Sequence, residues 1–140
     1  MTPTAIMRRQ IEQAVGLMRP VLDLPAGGLQ ACTMTVARYA RVSSTPTSAV
    51  YITWGTRGDC RYVGSVCRLK DVTAVRARVR EHLRRPERRA RWYAVTILPV
   101  TPKTSLEVVR RCEGWVAFAL RPAEGSAHPL IDMETPITAA

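Results

Sequence analysis

The segment AVYITWGTRGDCRYVGS, Ala49 to Ser65, contains two short runs of β-favouring residues separated by a turn sequence. The first run carries Tyr51 and the second carries Tyr62, and the intervening Gly-Thr-Arg-Gly-Asp is typical of a hairpin turn. A hairpin of this kind brings both phenols to one place beside Gly64. Two tyrosines on facing strands are commonly packing residues, so the hairpin alone leaves a structural and a functional interpretation open.

The charge of the chain favours an acidic polymer as its partner. The 140 residues carry a formal charge of +10, and the stretch from Arg57 to Arg91 contains twelve Lys or Arg against four Asp or Glu. Nucleic acid is the first candidate for such a surface and an anionic membrane surface the second, while an ordinary basic surface remains the alternative. Nearly all of the excess is arginine, which suits forked contact with phosphate.

Composition excludes several classes of protein. No run of about eighteen apolar residues is present, and the N-terminus lacks a secretory signal, so the sequence predicts a cytoplasmic protein without a membrane span. The four cysteines form no Cys-x-x-Cys pair and only two histidines accompany them. This distribution argues against a structural zinc site and favours reduced, packed cysteines.

The segment before the hairpin is predicted to be an N-terminal helical extension. Residues Thr4 to Met18 have the apolar period of an amphipathic helix, which Pro20 should end. The piece from Leu29 to Val42 is ambiguous between strand and helix, and a polar linker follows. We therefore expect an extension over residues 1–48, packed against a domain at 49–130, and a loosely ordered tail at 131–140.

The remaining elements complete a small α/β domain. A helix is predicted over Asp71 to Arg85, a third strand over Trp92 to Leu98, and a second helix from about Ser105 to Leu120. The expected architecture is a three-stranded antiparallel sheet flanked by helices. The apolar positions that should face the sheet are Val72, Val75, Val79 and Leu83 in the first helix and Leu106, Val109, Val116 and Leu120 in the second.

Two helices place unusual polar residues at the margin of their apolar stripes. Arg78 and His82 are four residues apart and share one side of the first helix. Glu113 occupies a position that completes the apolar series of the second helix. A buried carboxylate is costly unless it is paired or metal-bound, so either a base such as Arg78 neutralises it or it faces a cleft and takes part in chemistry.

These residues together suit phosphodiester hydrolysis better than other reactions. One carboxylate does not make the pair that a glycosidase needs, and the chain has no Gly-x-Ser-x-Gly elbow, P-loop or dinucleotide-binding glycines. A divalent metal on one carboxylate, an arginine to stabilise charge on phosphate, and a phenol or imidazole to handle a proton would hydrolyse a phosphodiester bond.

The same residues resemble the signature of the GIY-YIG nuclease family. Ala49–Tyr51 and Tyr62–Gly64 match the two halves of the signature in order, with eleven residues from the first tyrosine to the second. Arg78–His82 is similar to the family's helix with its arginine and following histidine. Glu113, with Pro122 nine residues later, is similar to the metal-binding glutamate and the proline after it.

The resemblance covers residues 49–129 and implies an endonuclease that hydrolyses DNA with Mg²⁺ or Mn²⁺. By match to the motif, Tyr51 would act as general base or position the attacking water. Tyr62 would orient the phosphate or share that proton network, and Gly64 would allow close approach of the backbone. Branched and damaged DNA are among the candidate substrates.

The resemblance also implies roles for the helix residues. Arg78 would stabilise charge on the phosphate, His82 would assist proton movement, and Glu113 would hold the metal ion. To these we add a basic face of predicted phosphate contacts: Arg76, Arg80, Arg84 and Arg88.

Two departures from the family pattern leave a second interpretation open. Ala49 replaces the first glycine of the signature, and Gly125 stands where the family usually carries an asparagine, for which Ser126 and His128 are the candidate substitutes. A nucleic-acid-binding module on a catalytically degenerate nuclease scaffold is therefore the alternative. A third possibility, a basic scaffold or membrane-surface protein, is disfavoured because the helices offer no strongly apolar face opposite their arginines.

Overall fold

The computed structural model describes residues 3–25, 27–68 and 71–125. The elements in chain order are α1 (Ala5–Leu22), β1 (Cys32–Thr35), α2 (Val36–Tyr39), β2 (Ser48–Trp54), β3 (Cys60–Cys67), α3 (Ala74–His82), α4 (Pro86–Arg91), β4 (Ala94–Pro99) and α5 (Leu106–Leu120). The predicted tail at 131–140 lies outside the described residues, as do Ser126 and His128, and the boundaries at 48 and 130 stay predictions.

The predicted α/β class is confirmed, but the sheet has four strands instead of three. Its order is β1-β4-β2-β3, and all pairs are antiparallel. The hairpin of β2 and β3 and the third predicted strand, β4, are present. The additional strand, β1, comes from the segment whose pattern was ambiguous. It pairs along the free edge of β4, where the hydroxyls of Thr33 and Thr96 form a hydrogen bond of 2.8 Å.

The sheet separates two apolar clusters, because side chains of a strand alternate between its faces. One face, here called the α3 face, carries Tyr51 of β2 and Val95 of β4, which pack against Val75 and Val79 of α3. The opposite face, the α5 face, carries alternate residues of the same strands and is covered by α5 and α1. Among the buried residues of the α5 face are Val50, Ile52, Val63, Leu98, Val109 and Val116.

Helix α1 is longer than predicted and belongs to the core of the α5 face. Thr4 caps it by accepting a hydrogen bond from the amide of Met7. The helix passes through Pro20 to Leu22, so the prediction that Pro20 ends it is wrong. A proline in the last turn removes one backbone donor, and Asp23, which adopts a left-handed conformation, donates to carbonyls of that turn and ends the helix instead. On the apolar side of α1, Met7, Ala14 and Met18 are buried, while Ile11 and Val15 are half-buried.

Two apolar residues predicted to face the sheet are exposed, because each lies at or before the first residue of its helix. Val72 and Leu106 are each 55% exposed. Val72 precedes α3, which begins at Ala74, and Leu106 is the first residue of α5. Neither side chain is therefore held against the sheet by the helical repeat. The charged run that follows α3 forms the short helix α4, which was not predicted.

No helix within the described ranges combines the length and the apolar character that a membrane crossing requires.

Candidate active site

The two signature tyrosines lie side by side on the α3 face because β2 and β3 pair in a register that sets Tyr51 opposite Gly64. The Tyr51 and Tyr62 rings are stacked at 6.1 Å, with 23° between their planes. A Cβ atom at Gly64 would overlap the hydroxyl of Tyr51 and come within 2.9 Å of Cε1 of Tyr62. Gly64 therefore leaves the space in which the Tyr51 phenol lies, as the motif led us to expect.

The last residue of α3, His82, joins the tyrosines. Its Nε2 lies 2.9 Å from Oη of Tyr51, and its ring contacts Tyr62 and Trp92 at centroid distances of 4.6 and 5.3 Å. The side chain is only 6% exposed. Burial lowers the pKa of His82 from 6.5 to about 4, and the nearby guanidinium groups of Arg78 and Arg88 act in the same direction. The imidazole is therefore neutral at pH 7.

Arg78 presents a partly exposed guanidinium next to the phenols. Its Nη1 forms an ion pair with Glu81, one turn along α3, at 3.2 Å. Tyr51 is close enough to interact electrostatically with the guanidinium. A phosphate at this position would meet a cation that is still accessible to solvent.

Glu113 approaches the site from the other face of the sheet. The residue is 9% exposed, and its Oε1 accepts a hydrogen bond of 2.8 Å from the hydroxyl of Ser65. Ser65 directly follows Gly64 on β3, which is an edge strand, and the Glu113 carboxylate acts electrostatically on Tyr51. No sequence pattern marked Ser65 as a site residue, because its contact with Glu113 depends on the docking of α5 against β3. Arg78, which we considered as a counter-ion for Glu113, forms an ion pair with Glu81.

The environment of Tyr51 keeps its hydroxyl protonated. Burial raises the pKa of Tyr51 above its ordinary value of 10, and the neighbouring Tyr62 adds to the effect. Arg78 opposes this shift as a cation and hydrogen-bond donor, whereas repulsion from the Glu113 carboxylate reinforces it. As folded, Tyr51 is thus suited to hold a water by hydrogen bonding, the second of the two roles that the motif implies.

The donor set at Glu113 fits Mg²⁺ or Mn²⁺ bound largely through water and substrate. In residues 3–25, 27–68 and 71–125, no three His, Cys, Asp or Glu side chains converge to form a protein cage for a metal. Mg²⁺ commonly binds one or two carboxylates and completes its shell with waters and phosphate oxygens. One carboxylate beside the Ser65 hydroxyl meets this requirement, and such an ion would supply Lewis-acid polarisation of the phosphate.

The loop residue Glu124, which the sequence analysis did not identify, holds several side chains of the site in place. Its Oε2 accepts hydrogen bonds from Trp92 Nε1 at 2.8 Å and Arg61 Nε at 3.2 Å, and its Oε1 pairs with Arg88 Nε at 3.4 Å. The residue follows α5 in a segment without periodicity, so no pattern marked it. Only its position next to the family's asparagine site provided a signal.

The structure places Arg88 in the framework of the site and not on the exposed basic face where we predicted it. Its side chain is 11% exposed, and the guanidinium lies 5.2 Å from the ring centroids of both Tyr62 and Trp92. Its Nη1 also contacts Nδ1 of His82. The short helix α4, which was not predicted, turns this arginine inward.

Two other predicted phosphate contacts are tied to the protein backbone. Arg76 donates to the carbonyl of Val42 and Arg80 to that of Ala40, so both fasten the segment after α2 to α3. Arg84 is exposed, as predicted. Three further exposed arginines of the same region were not singled out from sequence: Arg85, Arg89 and Arg91.

Gly125 occupies a position where an asparagine would not fit without rearrangement. Its φ is +80°, and a Cβ atom would lie 2.8 Å from Cε2 of Tyr62. The glycine backbone therefore packs directly on the second signature tyrosine. This contact gives a physical reason for the departure from the family pattern.

Gly64→Ala is expected to reduce cleavage by about 10²-fold, because the added methyl group would displace the Tyr51 hydroxyl and small misplacements of reacting groups are costly. Gly16→Ala is the matched control, since nothing lies within 4 Å of a Cβ at this exposed helical position. It should stabilise the protein by about 0.5–1 kcal/mol and leave cleavage unchanged. Equal rates for Gly64→Ala and the control would contradict the placement of Tyr51.

Acidification is expected to destabilise the protein through His82. Between pH 6.5 and pH 4 the unfolded chain binds a proton at this residue that the folded chain excludes, so stability is present above pH 6.5 and is lost as pH falls. The full effect is about 3 kcal/mol, which urea unfolding at pH 7 and pH 4 would measure. His82→Asn should lose most of this dependence, and a variant that keeps it would contradict the burial argument.

No family model, curated protein or solved structure matches this chain.

Proposed function

We propose that this protein is a metal-dependent endonuclease of the GIY-YIG type that hydrolyses phosphodiester bonds in DNA. The observation that carries the proposal is the meeting of side chains from separate elements at the β3 edge. Tyr51, Tyr62 and His82 form one contacting group, Arg78 interacts with its phenols, and Glu113 is bonded to the residue that follows Gly64. The agreement of these positions with the family motif further supports the proposal.

Each group has a chemical role in the proposed reaction. Tyr51 holds the attacking water by a hydrogen bond, and Arg78 stabilises the charge that develops on the phosphate oxygens. The water oxygen forms a bond to phosphorus and releases one proton to the surrounding solvent, while the bond to the leaving sugar oxygen breaks and that oxygen takes up one proton from solvent. Glu113 would hold the Mg²⁺ or Mn²⁺ ion, which would polarise the phosphate.

The direct test is nicking of supercoiled plasmid DNA by the purified protein with and without Mg²⁺. The expected result is conversion to the open-circular form only when the divalent ion is present and its loss on adding a chelator. Tyr51→Phe should lower the rate strongly without changing DNA affinity. Cleavage that is unaffected by a chelator, or equal in Tyr51→Phe, would contradict the proposal.

The exposed arginines of α4 and its flanks supply the proposed DNA-binding surface, named here the basic surface: Arg84, Arg85, Arg89 and Arg91. In the part of the chain that the structure describes, no ion pair involves any of the four. Each is therefore available to a phosphate, and each neutralised phosphate releases counter-ions.

Replacing all four residues of the basic surface by Gln is expected to reduce the slope of log affinity against log salt by about 3–4. Fluorescence anisotropy of labelled duplex DNA at several salt concentrations measures this slope. Arg8 and Arg9, which are exposed on α1, provide a control: their double change to Gln should leave the slope nearly unaltered. A slope that responds equally to both sets would show that DNA binds elsewhere or everywhere.

A second candidate, a DNA-binding module without catalysis, is favoured by the glycine at position 125. Loss of the family's asparagine is compatible with binding that survives after cleavage has been lost. This candidate predicts salt-dependent DNA binding through the basic surface and no nicking with Mg²⁺, Mn²⁺ or other divalent ions. The plasmid assay and the anisotropy assay together separate the two candidates.

A further inference from the structure

The hydrogen bond between Arg88 and His82 determines where the imidazole proton resides. Nη1 of Arg88 contacts Nδ1 of His82. A guanidinium has only N–H donors and no acceptor, so Nδ1 must accept and therefore carries no hydrogen. In a neutral imidazole the single N–H is then on Nε2, which faces Oη of Tyr51 at 2.9 Å.

We infer that Arg88, held in place by Glu124, fixes His82 as the tautomer protonated on Nε2, so that the imidazole donates a hydrogen bond to the Tyr51 oxygen and cannot take the phenol proton. Arg88 is thereby a positioning residue that acts through His82. This differs from the proton-transfer role that the motif resemblance implies for the histidine. The difference arises from a residue of α4 that lies outside the motif.

Several contacts hold the Arg88 guanidinium in this orientation. Its Nε is paired with Glu124, while Tyr62 and Trp92 contact the guanidinium through their rings. Glu124 is itself fixed by Trp92 and Arg61. Partial burial raises the pKa of Glu124, but the hydrogen bonds from Trp92 and Arg61 outweigh it and leave the pKa below its ordinary value. The carboxylate therefore remains charged at neutral pH and keeps its ion pair with Arg88.

The charges around His82 also oppose a second proton on the ring. The groups that face it come from its own helix, from the segment after it, from α4 and from both tyrosine-bearing strands: Arg78, Glu81, Arg85, Arg88, Tyr51 and Tyr62. Three are cations, one is an anion, and two are tyrosine side chains. The cations thus repel the proton that would convert His82 to imidazolium, and the ring stays a neutral donor.

The consequence for catalysis rests on the proposed function. With the Nε2 hydrogen directed at Tyr51, the phenol oxygen accepts a hydrogen bond from the imidazole, and the guanidinium of Arg78 on α3 interacts with the same phenol. The phenol proton must be directed to a partner other than His82. The histidine therefore supports Tyr51 as a hydrogen-bond donor while the water is held.

Long-range ¹H–¹⁵N NMR spectra of the ¹⁵N-labelled full chain test this inference, because they show which ring nitrogen carries hydrogen. The spectra need neither DNA nor metal, so their result is independent of whether the protein cleaves DNA. A His128→Gln variant identifies the signals of His82, since the chain has two histidines. At pH 7 we expect His82 with hydrogen on Nε2 and none on Nδ1. Hydrogen on Nδ1 would overturn the inference.

The variant Arg88→Met tests the cause of the tautomer. We expect a mixture of tautomers or a shift to hydrogen on Nδ1, and we expect the pKa of His82 to rise from about 4 toward 6.5. Arg89→Met is the matched control, because it removes the same charge from an exposed position on the same helix and should leave the tautomer unchanged. An Arg88→Met spectrum identical to the control would overturn the assignment to Arg88. If Arg88→Met does not fold, the tautomer of the wild-type protein and that of an Arg88→Lys variant test the assignment. Lysine also has only donors, so Arg88→Lys should keep Nδ1 free of hydrogen.

Discussion

Replacing Glu113 by Gln is expected to reduce DNA cleavage by about 10³-fold or more and to leave DNA binding nearly unchanged. Glutamine has almost the same shape, and its amide oxygen can still accept the hydrogen bond from Ser65. It lacks the negative charge that a divalent cation requires, so the proposed metal site is lost while the helix remains docked. Single-turnover cleavage at saturating Mg²⁺, together with anisotropy measurements of affinity, would show the separation.

Glu107→Gln is the control for this prediction. Glu107 lies on the same helix, exposed in its first turn and paired only with Arg111, at 3.5 Å, among the described ion pairs. Its replacement should change cleavage by less than about twofold, as expected for a surface ion pair of small energy. Cleavage by Glu113→Gln at the wild-type rate would exclude Glu113 as the metal-binding residue.

Arg78→Met is expected to reduce the maximal cleavage rate by about 10²–10³-fold, with a much smaller effect on DNA affinity. A preorganised cation aimed at developing phosphate charge contributes mainly to the transition state, so its loss lowers kcat more than it raises KM. The methionine keeps the apolar stem of the side chain packed on α3. Steady-state cleavage over a range of DNA concentrations separates kcat from KM.

Arg84→Met provides a contrasting variant for Arg78→Met. Arg84 is exposed just beyond α3 and belongs to the basic surface, so its replacement should raise KM and leave kcat nearly unchanged. The same pattern in Arg78→Met would place Arg78 among the ordinary phosphate contacts. A loss of kcat in both variants would instead indicate that the basic surface takes part in the chemical step.

Local patterns predicted the elements that carry the candidate site. The two β-favouring runs around Tyr51 and Tyr62, with the turn sequence between them, predicted the hairpin, and the helical repeat of Val75 and Val79 predicted which side of α3 is buried. Glu113 was recognised because a carboxylate interrupted an apolar stripe. In each case the signal lay within a few residues of one element, where periodicity is informative.

The features that the sequence did not predict depend on contacts between distant segments. Strand β1 is only four residues long and is stabilised by pairing with β4, so its own pattern was too short to identify it. Glu124 lies in a loop, and its importance comes from three partners that are distant in sequence. The inward turn of Arg88 depends on α4, a short helix of charged residues that has no apolar repeat to predict it.

The central claim is that one site at the β3 edge combines the phenols, the Arg78 guanidinium and the Glu113 carboxylate. A crystal structure of Tyr51→Phe bound to duplex DNA and Mn²⁺, with the ion located by anomalous scattering, tests it most directly. We predict Mn²⁺ coordinated by Glu113 and by an oxygen of a phosphate that also contacts Arg78 and lies beside residue 51. Mn²⁺ bound away from Glu113, or DNA whose phosphates do not reach Arg78, would contradict the account.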